Sequence, residues 1–337
     1  MQIKPKQAGL VMLSAIFGGA ITFFALPIQQ KQTNPEPGVS SIVASDKPEC
    51  KYNLNRLKGY KYVHPIFSAA PECESSNYKS LKSSISSAIE NEKQAGNLST
   101  ASVYFMSLSD DSWMSINANA TYHPGSLLKI VNLITYLKMA ETDHGILQRK
   151  IEYKKGEVFA MSQTFNSKTI VPGRSYTVRE LLHSMIANSD NYATTLLTNH
   201  MDTTIFLNAF SDMGISRPNL QDIGYTISPR DFSMFLRVLY DAGYLSIPSS
   251  EEAITLLTQC DFKDGILEGL PASIKVAHKF GEAGFGNVHE LHESAIVFLE
   301  GNPYLITIMT RGADVRRQEK AISRISEMVF NNMGVAL

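Results

Sequence analysis

The chain has 337 residues, 44% of them hydrophobic and 19% charged, with a formal net charge of −1. That composition is globular and long enough for one large domain or two modest ones. No basic patch interleaved with aromatic residues is present, which excludes a nucleic-acid partner held by charge.

In chain order, Ala8 to Pro27 carries no charge and follows Lys4 and Lys6. This is the pattern of an export signal or of a single membrane anchor with its N-terminus inside. Phe23 and Ala25 do not supply small residues at both cleavage positions, which favours a retained anchor over residues 1–30. Gln29 to Lys47, rich in Gln, Pro, Ser and Asn, reads as a flexible tether. Next, Cys50 to Cys73 encloses Tyr52, Tyr60, Tyr62, His64 and Phe67. In an exported chain those two cysteines can form a disulfide and leave Cys260 single; in the cytosol all three are inert thiols. Residues 31–77 are thus tether and small N-terminal region, ahead of an extracytoplasmic domain at 78–337.

Within that domain, Leu81, Ile85, Ala88 and Ile89 recur at helical spacing and predict a helix from Tyr78 to Lys93. Thr100 to Leu108 and Ser112 to Asn117 read as strands joined by a turn at Ser109-Asp110-Asp111. From Ser126 to about Leu270 everything periodic reads as helical, with helices expected at Val178–Ala187, Tyr192–His200, Thr204–Met213, Pro229–Ala242 and Ser250–Thr258. Ser273 to Phe280, Leu291 to Leu299 and Tyr304 to Thr310 alternate as strands, and Asp314 to Phe330 is a closing helix. The expected fold class is α+β: an antiparallel sheet flanked by the terminal helices, with an all-α subdomain inserted over about 124–271.

The helix that opens at His123-Pro124-Gly125-Ser126 is apolar all round. Ser126 and Lys129 share one face of it, a turn apart. A lysine in such a helix is costly to bury as a cation, so its amine is expected neutral and basic, and a serine beside a base is a nucleophile candidate. The SxxK pattern also occurs at Ser76 and Lys79 among polar neighbours. Two further patterns follow: Ser189-Asp190-Asn191 at a break between helices, and Lys279-Phe280-Gly281 on a late strand. KxG recurs at Lys154 and at Lys263-Asp264-Gly265, but only the copy at 279 lies on an expected strand. His289 and His292 point to opposite faces of a strand, no HExxH is present, and no metal or cofactor is implied; His292 and Glu293, entering the strand beside Lys279, are read instead as candidates to line the cleft.

SxxK, SDN and KxG, in that order and on those elements, resemble the penicillin-recognising serine hydrolases, namely class A β-lactamases and low-molecular-weight penicillin-binding proteins. The resemblance covers about residues 78–337. It implies that Ser126 is the nucleophile, Lys129 its base, and Ser189 the hydroxyl that passes a proton to the leaving nitrogen. Asn191 would hold the acyl-amide oxygen, Lys279 would support Ser189 and attract a carboxylate, and Phe280, Gly281 and Glu282 would line the substrate site. The backbone N–H groups of Ser126 and Glu282 would form the oxyanion hole. The implied acyl donor is a β-lactam or a peptidoglycan stem peptide.

The chain departs from the family in two places. Phe280 stands where the family has a hydroxyl that helps bind a carboxylate, and no glutamate occurs between Asn191 and Glu251 to activate a deacylating water. Asp222 is the acid in the corresponding short segment and reads as a helix-junction cap; Arg311 is a speculative stand-in for the family's carboxylate-binding arginine. The other reading is a non-catalytic module that binds peptidoglycan or protein on the same fold. Intact SxxK, SDN and KxG argue against it, because a binder needs no nucleophile and base.

Overall fold

The computed structural model describes residues 55–56, 61–63, 66–68, 73–156, 165, 167–222 and 224–334. The expected anchor and tether, and Cys50, lie outside them. A short ribbon pairs β1 (Asn55–Arg56) with β2 (Ile66–Ser68). Beside it, Val63 is buried in the same core as the helical block, and the backbone N–H groups of Tyr62 and Val63 donate to the Glu251 carboxylate. Packing therefore begins before Tyr78, where the sequence reading starts the domain. Cys73 is disulfide-bonded and Cys260 is a free, buried thiol.

The central sheet is built of β3 (Thr100–Ser107), β4 (Trp113–Ile116), β7 (Lys275–Phe285), β8 (Val288–Phe298) and β9 (Tyr304–Gly312). Their order is β4-β3-β9-β8-β7, all neighbours antiparallel. Helices α1 (Lys79–Gln94) and α8 (Val315–Gly334) cover one face, where Ile85, Ile322 and Val329 meet Phe105, Ile306 and Ile308. On the other face lie α2 (Lys129–Ala140), α3 (Val178–Ala187), α4 (Asn191–His200), α5 (Thr203–Asp212), α6 (Pro229–Tyr240) and α7 (Ile247–Leu257). This is the expected sandwich, with an edge strand, β7, beside the inserted helices.

The structure differs from the sequence reading in the helical block as well. Ser126 lies in a 3-10 turn, Gly125–Leu128, that precedes α2. A second ribbon, β5 (Lys150–Tyr153) with β6 (Arg174–Thr177), interrupts the block read as wholly helical. Finally, α7 starts at Ile247, before the expected Ser250, because Ser246 caps it and Pro248 fits the first turn. No helix among the described residues is long and apolar enough to cross a membrane.

Candidate active site

Two glycines fix the distance between the Ser126 turn and β7. A Cβ on Gly281 would stand 2.4 Å from the Pro124 carbonyl oxygen and 2.9 Å from the Leu127 nitrogen. One on Gly125, whose φ of +51° also favours glycine, would stand 2.1 Å from the Glu282 carbonyl oxygen. Backbone thus packs on backbone, and Ser126 is held against the edge of the sheet at the KxG strand.

The third motif occupies a tight break between helices. A capping box of Thr177 and Glu180 starts α3, which ends at Ala187. Asp190 then starts α4 by accepting from the N–H groups of Tyr192 (2.8 Å) and Ala193 (3.3 Å), and it also accepts from Ile170 N–H at 2.7 Å. Between these helices Ser189 adopts φ +52°, an uncommon conformation for a residue with a side chain.

Ser189 is where the motifs meet. Its hydroxyl lies 3.0 Å from Lys129 Nζ and 2.9 Å from Lys279 Nζ. Lys129 Nζ also reaches the Ser189 carbonyl oxygen (2.6 Å) and Asn191 Oδ1 (2.7 Å), while Lys279 Nζ donates to the Phe280 carbonyl oxygen at 3.0 Å. Burial, reinforced by the Lys279 charge, pushes Lys129 down to about 6; burial likewise pushes Lys279 down to about 8. At neutral pH this makes Lys129 a free amine with a lone pair and Lys279 a cation. Lys129, Ser189, Asn191 and Lys279 are thus joined by hydrogen bonds, and Gly281 and the Glu282 backbone pack against the turn that carries Ser126.

Phe280, expected as a substrate contact, is 1% exposed. Its ring stacks on Phe262 (4.3 Å between centroids, 21°), meets Phe165 edge-on and lies under Lys279 Nζ at 3.9 Å. Arg311 is likewise committed. Its guanidinium holds Glu290 at 2.7 Å and 2.6 Å and covers the Tyr122 ring. Asp222 is exposed and spends an oxygen on the Gly224 N–H at 2.8 Å, as a turn cap does.

Two buried groups stand behind the site, and they include His292 and Glu293, which were expected to line the cleft and are both 0% exposed. Glu290 accepts from the His123 N–H at 2.9 Å, and His292 Nε2 meets the His123 carbonyl oxygen at 3.1 Å, so both brace the segment leading to Ser126. Burial opposes ionisation of Glu290, but His292, Arg311 and the His123 N–H overcome it and hold the carboxyl down to about 2. Its contribution to stability is present above the ordinary 4.5 and is lost as pH falls through about 2. Glu290→Gln should therefore lower the urea midpoint at pH 7, and its deficit against wild type should shrink as pH falls below 4.5. A deficit that stays constant with pH would contradict this.

The second group is Cys260, His278 and Glu293, all sealed from solvent. His278 Nδ1 bonds Glu293 Oε1 at 3.1 Å, and Glu293 Oε2 accepts from the Ile266 N–H at 2.6 Å. Burial works against a charged His278, yet the neighbouring Cys260 and Glu293 push it up to about 10. Gly265 of the spare KxG match, with φ +65°, makes room here: its Cβ would stand 1.9 Å from Glu293 Oε2. Among the described residues no group of three His, Cys, Asp or Glu side chains is arranged to hold a metal.

The sheet, the inserted helices and the meeting of three motifs at Ser189 are the build of the β-lactamase-like serine hydrolases. The chain belongs to the beta-lactamase enzyme family, whose model it matches over residues 80–333. Its structure is similar to that of PBP-A (21% identity, TM-score 0.65, covering 80% of this chain and 100% of that one). It is also similar to a PBP-A mutant solved as an acyl-enzyme complex with penicillin G (20%, 0.64, 76% and 97%). A β-lactamase from Chitinophaga pinensis is similar as well (19%, 0.65, 75% and 98%). At such identities these likenesses show the fold alone. A sequence search of curated proteins finds no match.

Proposed function

We propose that the protein is an extracytoplasmic, membrane-tethered serine hydrolase that forms an acyl-enzyme on Ser126 with an amide of the β-lactam or D-Ala-D-Ala type. The observation that carries this reading is the Ser189 hydroxyl held between Lys129 and Lys279. In the first step the Lys129 amine takes the Ser126 proton while Oγ bonds to the acyl carbon. The resulting oxyanion faces the N–H groups of Ser126 and Glu282, the former at the start of a helical turn where N–H groups lack intrahelical partners. As the C–N bond breaks, Ser189 gives its proton to the leaving nitrogen and is reprotonated from the lysine pair.

Release of the acyl group needs an activated water. No glutamate occurs between Asn191 and Glu251, and Asp222 is exposed and engaged in its own turn. Acylation therefore outruns deacylation, and the protein acts as a slow peptidase or a covalent penicillin binder.

The test is intact-mass analysis after incubation with a fluorescent penicillin and, separately, with an uncharged activated ester. A mass increase that persists for many minutes and is lost in Ser126→Ala is expected. Absence of any Ser126-dependent adduct with both reagents would refute the assignment.

A further inference from the structure

On the face of the sheet covered by α1 and α8, a groove of about 830 Å³ opens between the N-terminal end of α1, the C-terminal end of α8 and the turns that follow β3 and β8. Its volume falls within the roughly 300–1,000 Å³ of small-molecule sites. Ser107 marks its place in the sheet. The paired row Ser107, Tyr304, Val297 and Val276 sets the groove three strands away from β7, a separation on the order of 15 Å. A ligand held there is not the bond that Ser126 attacks.

The groove is walled by uncharged hydrogen-bonding groups. The amides of Asn77, Asn331 and Asn332 and the hydroxyls of Ser80 and Ser84 belong to exposed residues of its lining. Among the described residues none of these five side chains has a hydrogen-bond partner. Each amide brings two donors and two acceptor lone pairs, and each hydroxyl one donor and two lone pairs. Half-buried Tyr78 and Met328 add apolar surface beside them. Asp110, the one carboxylate in the described lining, spends Oδ1 on the N–H (3.0 Å) and hydroxyl (2.7 Å) of Ser112.

Both helices give up propensity to place these groups. Ser80 and Ser84 stand four apart within α1, while Asn331 and Asn332 stand three and four past Met328 within α8. Serine and asparagine form helix less readily than alanine, lysine or glutamate. Capping does not account for them, because Ser75 caps the turn that leads into α1 and both pairs lie inside their helices. Small groups that both donate and accept, set beside an aromatic ring and a thioether, suit a ligand with many hydroxyls and exposed C–H faces. We propose that this groove binds a neutral oligosaccharide. The assignment is independent of the acyl-enzyme reading.

The test is titration of the full chain with two uncharged probes, chitotetraose and cellotetraose, followed by saturation-transfer NMR. At least one is expected to bind saturably with a Kd of about 1 mM or tighter. Raising NaCl from about 0.05 M to about 0.5 M should leave that Kd unchanged, because no ion pair is there to be screened. Asn331→Ala/Asn332→Ala and, from the other helix, Ser80→Ala/Ser84→Ala should each weaken binding at least ~10-fold. Their melting temperatures should equal or exceed that of wild type, since alanine is the better helix former. Should one pair fail to fold, the other reads the same loss. Ser126→Ala should bind as wild type does. Absence of saturation by both probes at ten times the expected Kd would overturn the inference, as would binding that collapses with salt or survives both double substitutions. Loss of binding in Ser126→Ala would place the sugar in the acyl site and overturn it too, whereas a failure of penicillin labelling bears on the acyl-enzyme reading alone.

Discussion

Lys129→Ala is expected to slow acylation of Ser126 by roughly 10²- to 10⁴-fold, the range a positioned general base contributes. The same amine should shape the pH profile of the wild type. Lys129 is held down to about 6 by burial and by Lys279, so it is protonated and useless as a base below that pH and competent above it. Lys279, held down to about 8, loses the proton it donates to the Ser189 hydroxyl above that value. The acylation rate should therefore rise through about pH 6 and fall through about pH 8. Because the two amines share one hydroxyl, these midpoints belong to the pair. In Lys129→Ala the residual rate should lose its acid limb. Rapid-quench labelling between pH 5 and 9 measures both effects, and an unchanged acid limb in the variant would refute the role given to this lysine.

The second large effect is expected from a single added methyl. In Gly281→Ala the new Cβ would lie 2.4 Å from the Pro124 carbonyl oxygen and 2.9 Å from both the nitrogen and Cγ of Leu127. Two of those three atoms are backbone, which cannot rotate away, so β7 and the Ser126 turn must separate. A displacement on the order of 1 Å between nucleophile and oxyanion donors costs about 10²-fold in rate, and acylation should fall by at least that factor. Gly96 provides the control. It has φ +72° with nothing within 4 Å of its Cβ, so Gly96→Ala should lower the melting temperature slightly and leave acylation at the wild-type rate. Equal labelling rates in Gly281→Ala and wild type would show that the close strand contact is not what holds the site.

The reacting groups were legible because the chemistry is encoded at short spacing. A serine and a lysine one turn apart, and SDN in a helix break, depend on neighbours in the chain, and their order along it carried the rest. The strand alternation Lys150-Ile151-Glu152-Tyr153, exposed and buried in turn, was legible too; reading the whole block as helical passed over it. The C-terminal end of β7 was lost for a different reason. Gly281, Ala283 and Gly284 have little strand propensity, yet full pairing with β8 and a two-residue turn at Gly286-Asn287 carry the strand to Phe285.

What could not be read depends on contacts between distant residues. Nothing in the chain around Phe280 announces that Phe262 and Phe165 will enclose its ring. Nor does it announce that Glu290 will consume the charge of Arg311. Motifs told which atoms react, whereas tertiary packing determines what they can accept.

The twisted backbone at Ser189 sets a limit on this chain. Its φ of +52° is one that glycine adopts at no steric cost. Selection for durability alone would draw glycine into that place, and the same exchange would erase the hydroxyl bridging the two amines. The molecule is thus kept below the toughness its own architecture allows, and any heat-hardened descendant that still reacts must find its gain elsewhere.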